Sequence, residues 1–102
     1  IAVNNIIGVA LNLDDDEVVF YLNGTAQNSG TAFSITALGD EENYFPAIGN
    51  WSASAVKLSF NFGNPVFSIS SGNSDGAGYG NFEYAVPSGY YSLCTKNIAE
   101  YG

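Results

Sequence analysis

Ten carboxylates, one thiol and no imidazole bound the chemistry open to this chain. Four acids run together at Asp14, Asp15, Asp16 and Glu17, and three more at Asp40, Glu41 and Glu42. Clustered carboxylates suit a hard cation such as Ca²⁺, which takes several oxygen ligands. Neither run has the spacing of an EF-hand loop, and adjacent residues at a strand end point in alternating directions. Both read as solvated turn tips, and no metal site is expected. Paired carboxylates can also hydrolyse glycosides, but no spacing here resembles a carboxylate pair on one strand. Cys94, beside Leu93, has no histidine to activate it and reads as a buried, inert thiol. No catalytic residue and no cofactor are expected. The aromatics offer a different chemistry. Trp51, Tyr44 and Tyr79 fall in loops or at loop edges, where exposed rings stack on sugars or anchor a protein partner. Asn73, Ser74 and Asp75 stand near Tyr79 to donate and accept hydrogen bonds. Trp51, Tyr44, Asn73, Asp75 and Tyr79 are therefore the candidate ligand-binding residues. The plainer readings are that Trp51 plugs the core at a strand end and that the polar residues only solvate a loop.

These groups need a scaffold, and composition says which kind. The chain has 102 residues and a net charge of −8, with Lys57 and Lys96 its only cations. Two cations cannot neutralise a phosphate backbone, so a nucleic-acid partner is excluded. No run is apolar for 18 residues, so no helical membrane span is expected. A single cysteine excludes an intrachain disulfide. Twelve glycines, fourteen Phe and Tyr, and few charges are the composition of a β protein in one domain. Opening on Ile1 within an apolar run, the chain reads as a piece of a longer polypeptide.

The strand pattern follows from period 2. Residues 6–13, I-I-G-V-A-L-N-L, alternate Val9, Leu11 and Leu13 with Ala10 and Asn12. After the acidic break, 18–22 form a second β-rich run ending in Asn23-Gly24, whose positive φ suits a tight turn. Together they predict a hairpin. Residues 25–31 read as loop, and 32–35 as a short strand or turn. At 44–49 a strand is interrupted by Pro46, so it belongs at an edge or bulge. The strongest alternation is at 56–62, with Val56, Leu58, Phe60 and Phe62 on one face and Lys57, Ser59 and Asn61 on the other. Residues 70–81 hold four glycines and read as a mobile loop; the G-x-G-x-G at 76–80 lacks a following helix and is not a phosphate cradle. A short apolar run at 66–69 and strand candidates at 82–86 and 90–94, with a turn at Pro87-Ser88-Gly89, complete the reading. No helical period is sustained. An antiparallel sandwich or barrel is the expected architecture.

The motifs resemble the SPRY family. G-V-A-L-N-L-D at 8–14 and V-V-F-Y-L-N-G at 18–24 are similar to its paired "G-x-x-L-D-L-D" and "L-x-F-x-x-N-G" strands. Y-F-P-A-I at 44–48 resembles its "Y-P-A-V" strand, and 56–63 its "V-x-x-N-F-G" strand. P-S-G-Y at 87–90 with L-C-T-K-N-I at 93–98 is similar to the ending of SPRY modules in bacteriophage virion proteins. The resemblance implies an all-β, concanavalin A-like sandwich of jelly-roll type, of which residues 1–102 are the C-terminal portion, incomplete at the N-terminus. Such a half sandwich exposes edges and one apolar face. It further implies a non-catalytic binding or structural module of a tail or capsid fibre, located on the virion. Its partners would be a host surface glycan or a neighbouring virion protein, with homo-oligomers formed through the parent protein. A SPRY-type protein-interaction module of a cellular protein, or a lectin-like or glycan-hydrolysing domain, are the alternatives.

Overall fold

A computed structural model describes residues 2–36 and 43–101. The acidic run Asp40-Glu41-Glu42 lies outside the described residues. Alternation and turn chemistry produce the predicted hairpin. Strand β1 (Ile7–Asn12) pairs antiparallel with β2 (Glu17–Leu22), with Ile7 opposite Leu22 and Asn12 opposite Glu17. Asn12 shapes the connection: its Oδ1 accepts the N–H of Asp14 at 3.0 Å and of Asp15 at 3.2 Å. Its Nδ2 donates to Asp15 Oδ2 at 2.8 Å. The acidic tip is thus an Asx-type turn, in which a short polar side chain replaces backbone partners.

Asn23 and Gly24, with φ of 48° and 79°, form the two-residue turn into β3 (Thr25–Ala26). Positive φ at both central residues matches the twist of the flanking strands. A Cβ at Gly24 would lie 2.6 Å from the Tyr84 ring, so this turn is also a point of contact with the C-terminal half. Beyond β3 the chain bulges through a turn at Asn28–Gly30 and returns as β4 (Phe33–Ser34), where Phe33 faces Val18. The bonds Gln27 N–H to Phe20 O and Ile35 N–H to Asp16 O, both 2.8 Å, continue this edge. Strand β2 is therefore central and β1 lies at the other edge.

The two faces of the sheet differ. Gly8, Ala10 and Asn12 point to the more covered side, and Ala10 is the one buried apolar residue among those described. Ile7, Val9 and Leu11 point the other way, with Val18, Phe20, Leu22 and Phe33 across the pairs. Val9 is 63% exposed, and Ile7, Leu11, Phe20 and Phe33 are also exposed. The stripe that predicted the strand is thus open rather than covered.

The rest of the described chain has little regular structure. The 56–62 run has no backbone hydrogen bond to a neighbouring strand among the described residues, although Phe60 and Phe62 stack with ring centroids 6.1 Å apart. Its alternation is real, but alternation cannot supply the partner that makes a strand. The runs at 44–49, 66–69 and 90–94 are likewise not strands, and Phe82 makes a single bridge to Asn73. The chain ends in a short helix, α1 (Thr95–Tyr101), where the sequence had suggested none. At seven residues it spans about two turns, too short for a 3.6-residue period to register. The described residues thus form an open antiparallel β fold with little helix, and no second sheet lies among them.

Candidate functional site

Two regions carry the candidate residues: the 73–82 loop with its neighbours, and the segment around Trp51. The loop is closed at its mouth by paired bonds between Asn73 and Phe82, each backbone N–H donating to the other's carbonyl at 2.8 Å. Inside, the Asp75 N–H donates to Tyr79 O at 2.8 Å and the Gly78 N–H to Asp75 O at 3.0 Å. Gly78 and Gly80 have φ of 83° and 94°, so the tight path uses conformations that other residues adopt at a cost. The Phe82 ring lies over Gly80, leaving no room for a Cβ there.

At the centre is Asp75, only 6% exposed. Its Oδ1 accepts the N–H of Ala77 at 2.9 Å and of Tyr79 at 3.0 Å. Its Oδ2 accepts the Ser92 N–H at 2.9 Å, the Ser92 hydroxyl at 2.8 Å and the Asn97 amide at 2.8 Å. One carboxylate therefore ties together the loop, the segment after the Pro87 turn, and α1. Burial pushes the Asp75 carboxyl up, but the donors from Ser92, Tyr79 and Asn97 outweigh it and hold the group well below the ordinary carboxylate range. Ser92 and Asn97 are themselves buried. The Asn97 amide also donates to Ser92 O at 2.9 Å and to Ser92 Oγ at 3.0 Å, while its Oδ1 is buried with no partner.

Tyr79 is held from two sides. Its hydroxyl donates to Glu100 Oε2 at 2.9 Å, and Lys96 Nζ lies 5.2 Å from the ring centroid. The hydrogen bond to Glu100, and then its charge, raise the Tyr79 hydroxyl above its ordinary range. Asn73 donates from its amide to Ser71 Oγ, Phe82 O and Glu83 O at 3.1–3.2 Å. The neighbouring Glu83 accepts both the N–H and the hydroxyl of Ser70, which lower its carboxyl.

These contacts revise the sequence reading of the loop. Glycine content suggested mobility, but the loop is braced by a buried carboxylate and a bridge. Asp75 does not face outward to meet a ligand; it spends its acceptor capacity inside the chain. Asn73 directs its amide to the backbone of its own loop mouth, and the Tyr79 hydroxyl meets Glu100 at the surface. Ser92 and Asn97 were missed, because their partner Asp75 lies 17 and 22 residues away. The sequence sign of them was the C-terminal ending that carries the family resemblance, which contains Asn97.

Cys94 is half-buried, and its Sγ lies 3.4 Å from Ser92 Oγ. The Ser92 hydroxyl, ahead of the Asn97 N–H, lowers the thiol below its ordinary range. Trp51 has the opposite environment. Its relative exposure is 102%, and it borders a shallow depression formed with Asn50, Ser52 and Ala53. It does not plug a core. Tyr44 is half-buried nearby in sequence, in a stretch without regular structure. Trp51 is thus separate in character from the braced loop: an exposed ring among small polar neighbours. Among the described residues no group of three or more His, Cys, Asp or Glu side chains is placed to hold a metal ion, and no helix is long and apolar enough to cross a membrane.

Comparison of the chain with protein-family models, with curated proteins and with solved structures gave no match.

Proposed function

We propose that the chain is the C-terminal portion of a SPRY-like β-sandwich that serves as a non-catalytic binding module of a phage virion protein. The observation that carries the binding role is Trp51, a fully exposed indole flanked by Asn50 and Ser52. Exposing so large an apolar ring to water is unfavourable, and stacking it on a sugar face recovers that cost while the flanking polar groups meet hydroxyls. Two features support the sandwich. The β1–β2 hairpin joins the two segments whose motifs resemble paired SPRY strands. The open face bearing Val9, Phe20 and Phe33 is the apolar surface that a second sheet covers in a sandwich. The ligand of this reading is a neutral host surface glycan, because a chain of net charge −8 repels anionic polymers. In this reading Trp51 and Tyr44 contact it, while Asp75, Asn73 and Tyr79 brace the separate 73–82 loop.

The test is titration of the chain with neutral surface polysaccharides of a bacterial host, read through Trp51 emission. Trp51 is the sole tryptophan, so the signal is local. A saturable shift without release of reducing ends supports a binding module. Release of reducing ends contradicts the non-catalytic reading. Absence of the chain's peptides from purified virions contradicts the virion assignment.

A further inference from the structure

Strand β1 is an edge with no device to block it. Its outer side has no strand partner among the described residues. Its six residues, I-G-V-A-L-N, include no proline and no charge. Native proteins guard exposed edges with prolines, inward charges or bulges, because a free row of N–H and C=O groups is a template for another strand. The same chain carries a strand-like segment in need of such a row. Residues 56–62 are apolar at every second position, and Val56, Leu58, Phe60 and Phe62 are all about half exposed. They make no backbone hydrogen bond to a strand among the described residues.

The two segments are complementary in pattern and in charge. In an antiparallel pair, residues directly opposite share a face. With Leu11 opposite Leu58, Val9 meets Phe60 and Ile7 meets Phe62, all on the apolar side. That register places Lys57 opposite Asn12, the residue that holds Asp15 at 2.8 Å in the acidic tip. One of the two cations of a strongly acidic chain thereby lands against its densest acidic cluster. A shift by one residue puts the apolar set of one strand on the polar face of the other.

We propose that β1 is a strand-addition surface whose occupant is the 56–62 segment of a second copy of this chain, exchanged reciprocally to give a two-fold dimer. Reciprocal exchange satisfies both exposed features with one interface, as a two-fold arrangement requires. It extends the open sheet by one strand and continues its apolar face. The proposal assigns a surface to self-association and does not depend on glycan binding at Trp51; it departs from the sandwich reading in pairing residues 56–62 with a second copy rather than within one chain.

The experiment is sedimentation equilibrium on the 102-residue chain, with circular dichroism to confirm that each variant keeps its fold. The wild type is expected to be a concentration-dependent dimer. Lys57→Glu sets like charges against the acidic tip at two symmetric places and weakens the dimer about tenfold. Adding Asp15→Lys to Lys57→Glu restores a pair of opposite charges and recovers most of that loss. A chain that stays monomeric overturns the proposal. So does a dimer indifferent to Lys57→Glu, which points to stacking of the open faces instead. Neither result bears on binding at Trp51.

Discussion

At the scale of single residues, the molecule contrasts a carboxylate that is fully used with an indole that is not. Asp75 accepts five donors from three segments. Removing it leaves several buried donors without partners, so Asp75→Ala is expected to lower stability by about 3 kcal/mol, measured by urea unfolding. The pH dependence has a definite sign. The Asp75 carboxyl is lower in the folded chain than in the unfolded one, where it titrates at about 3.8. Its stabilisation is therefore complete above the unfolded value and is lost as pH falls below about 4 toward the folded value. Glu83, also lowered, acts in the same direction. The urea midpoint should fall between pH 6 and pH 2.5, and Asp75→Asn should flatten that dependence. Trp51→Ala is expected to change stability by less than about 0.5 kcal/mol, since the ring packs on nothing, yet to abolish glycan binding measured by calorimetry. A large loss of stability in Trp51→Ala would return the indole to a structural role.

At the scale of elements, legibility followed the range of the interactions. The β1–β2 hairpin was readable because every signal for it is local: alternation in two short runs, an acidic break, and Asn23-Gly24 with its positive φ. The turn at Pro87 was readable for the same reason, and the Tyr90 N–H donates to Pro87 O at 3.1 Å across it. The 56–62 run shows the limit of such signals, since a period-2 stripe states which faces differ but not which backbone pairs with it. Helix α1 was hidden by its length. It is held through Asn97 on Asp75, Tyr79 on Glu100, and the Tyr91 and Tyr101 rings with centroids 5.2 Å apart, none of them local in sequence. The same contrast between local and distant causes applies at Gly24. A side chain there meets both an unfavourable φ of 79° and the Tyr84 ring, so Gly24→Ala should cost about 2 kcal/mol in urea unfolding. Gly76 has open space where a Cβ would stand and no positive φ, so Gly76→Ala is expected to be near neutral.

At the scale of the whole molecule, the described chain is looser than a packed domain. Its radius of gyration is 14.5 Å, against about 13 Å for a compact domain of 100 residues. The apolar side chains that composition provides are present, but most of them lie on the surface. In the proposed sandwich a second layer covers them; in the proposed dimer an associating copy covers part of them. A neutral solvatochromic dye such as Nile red should therefore bind the chain, and Val9→Ser with Phe20→Ser should reduce that binding while leaving the hairpin intact by circular dichroism. Their apolar stripe was legible in the sequence; that it stands uncovered was not, because alternation marks an apolar face without saying what lies above it.

The central claim, that the chain binds a glycan through an exposed indole without chemistry, is tested most directly by the Trp51 emission titration with neutral host polysaccharide. The account predicts a saturable shift, loss of binding in Trp51→Ala with the fold intact, and no sugar product after prolonged incubation. An unchanged spectrum from the folded chain across that panel of polysaccharides would contradict it.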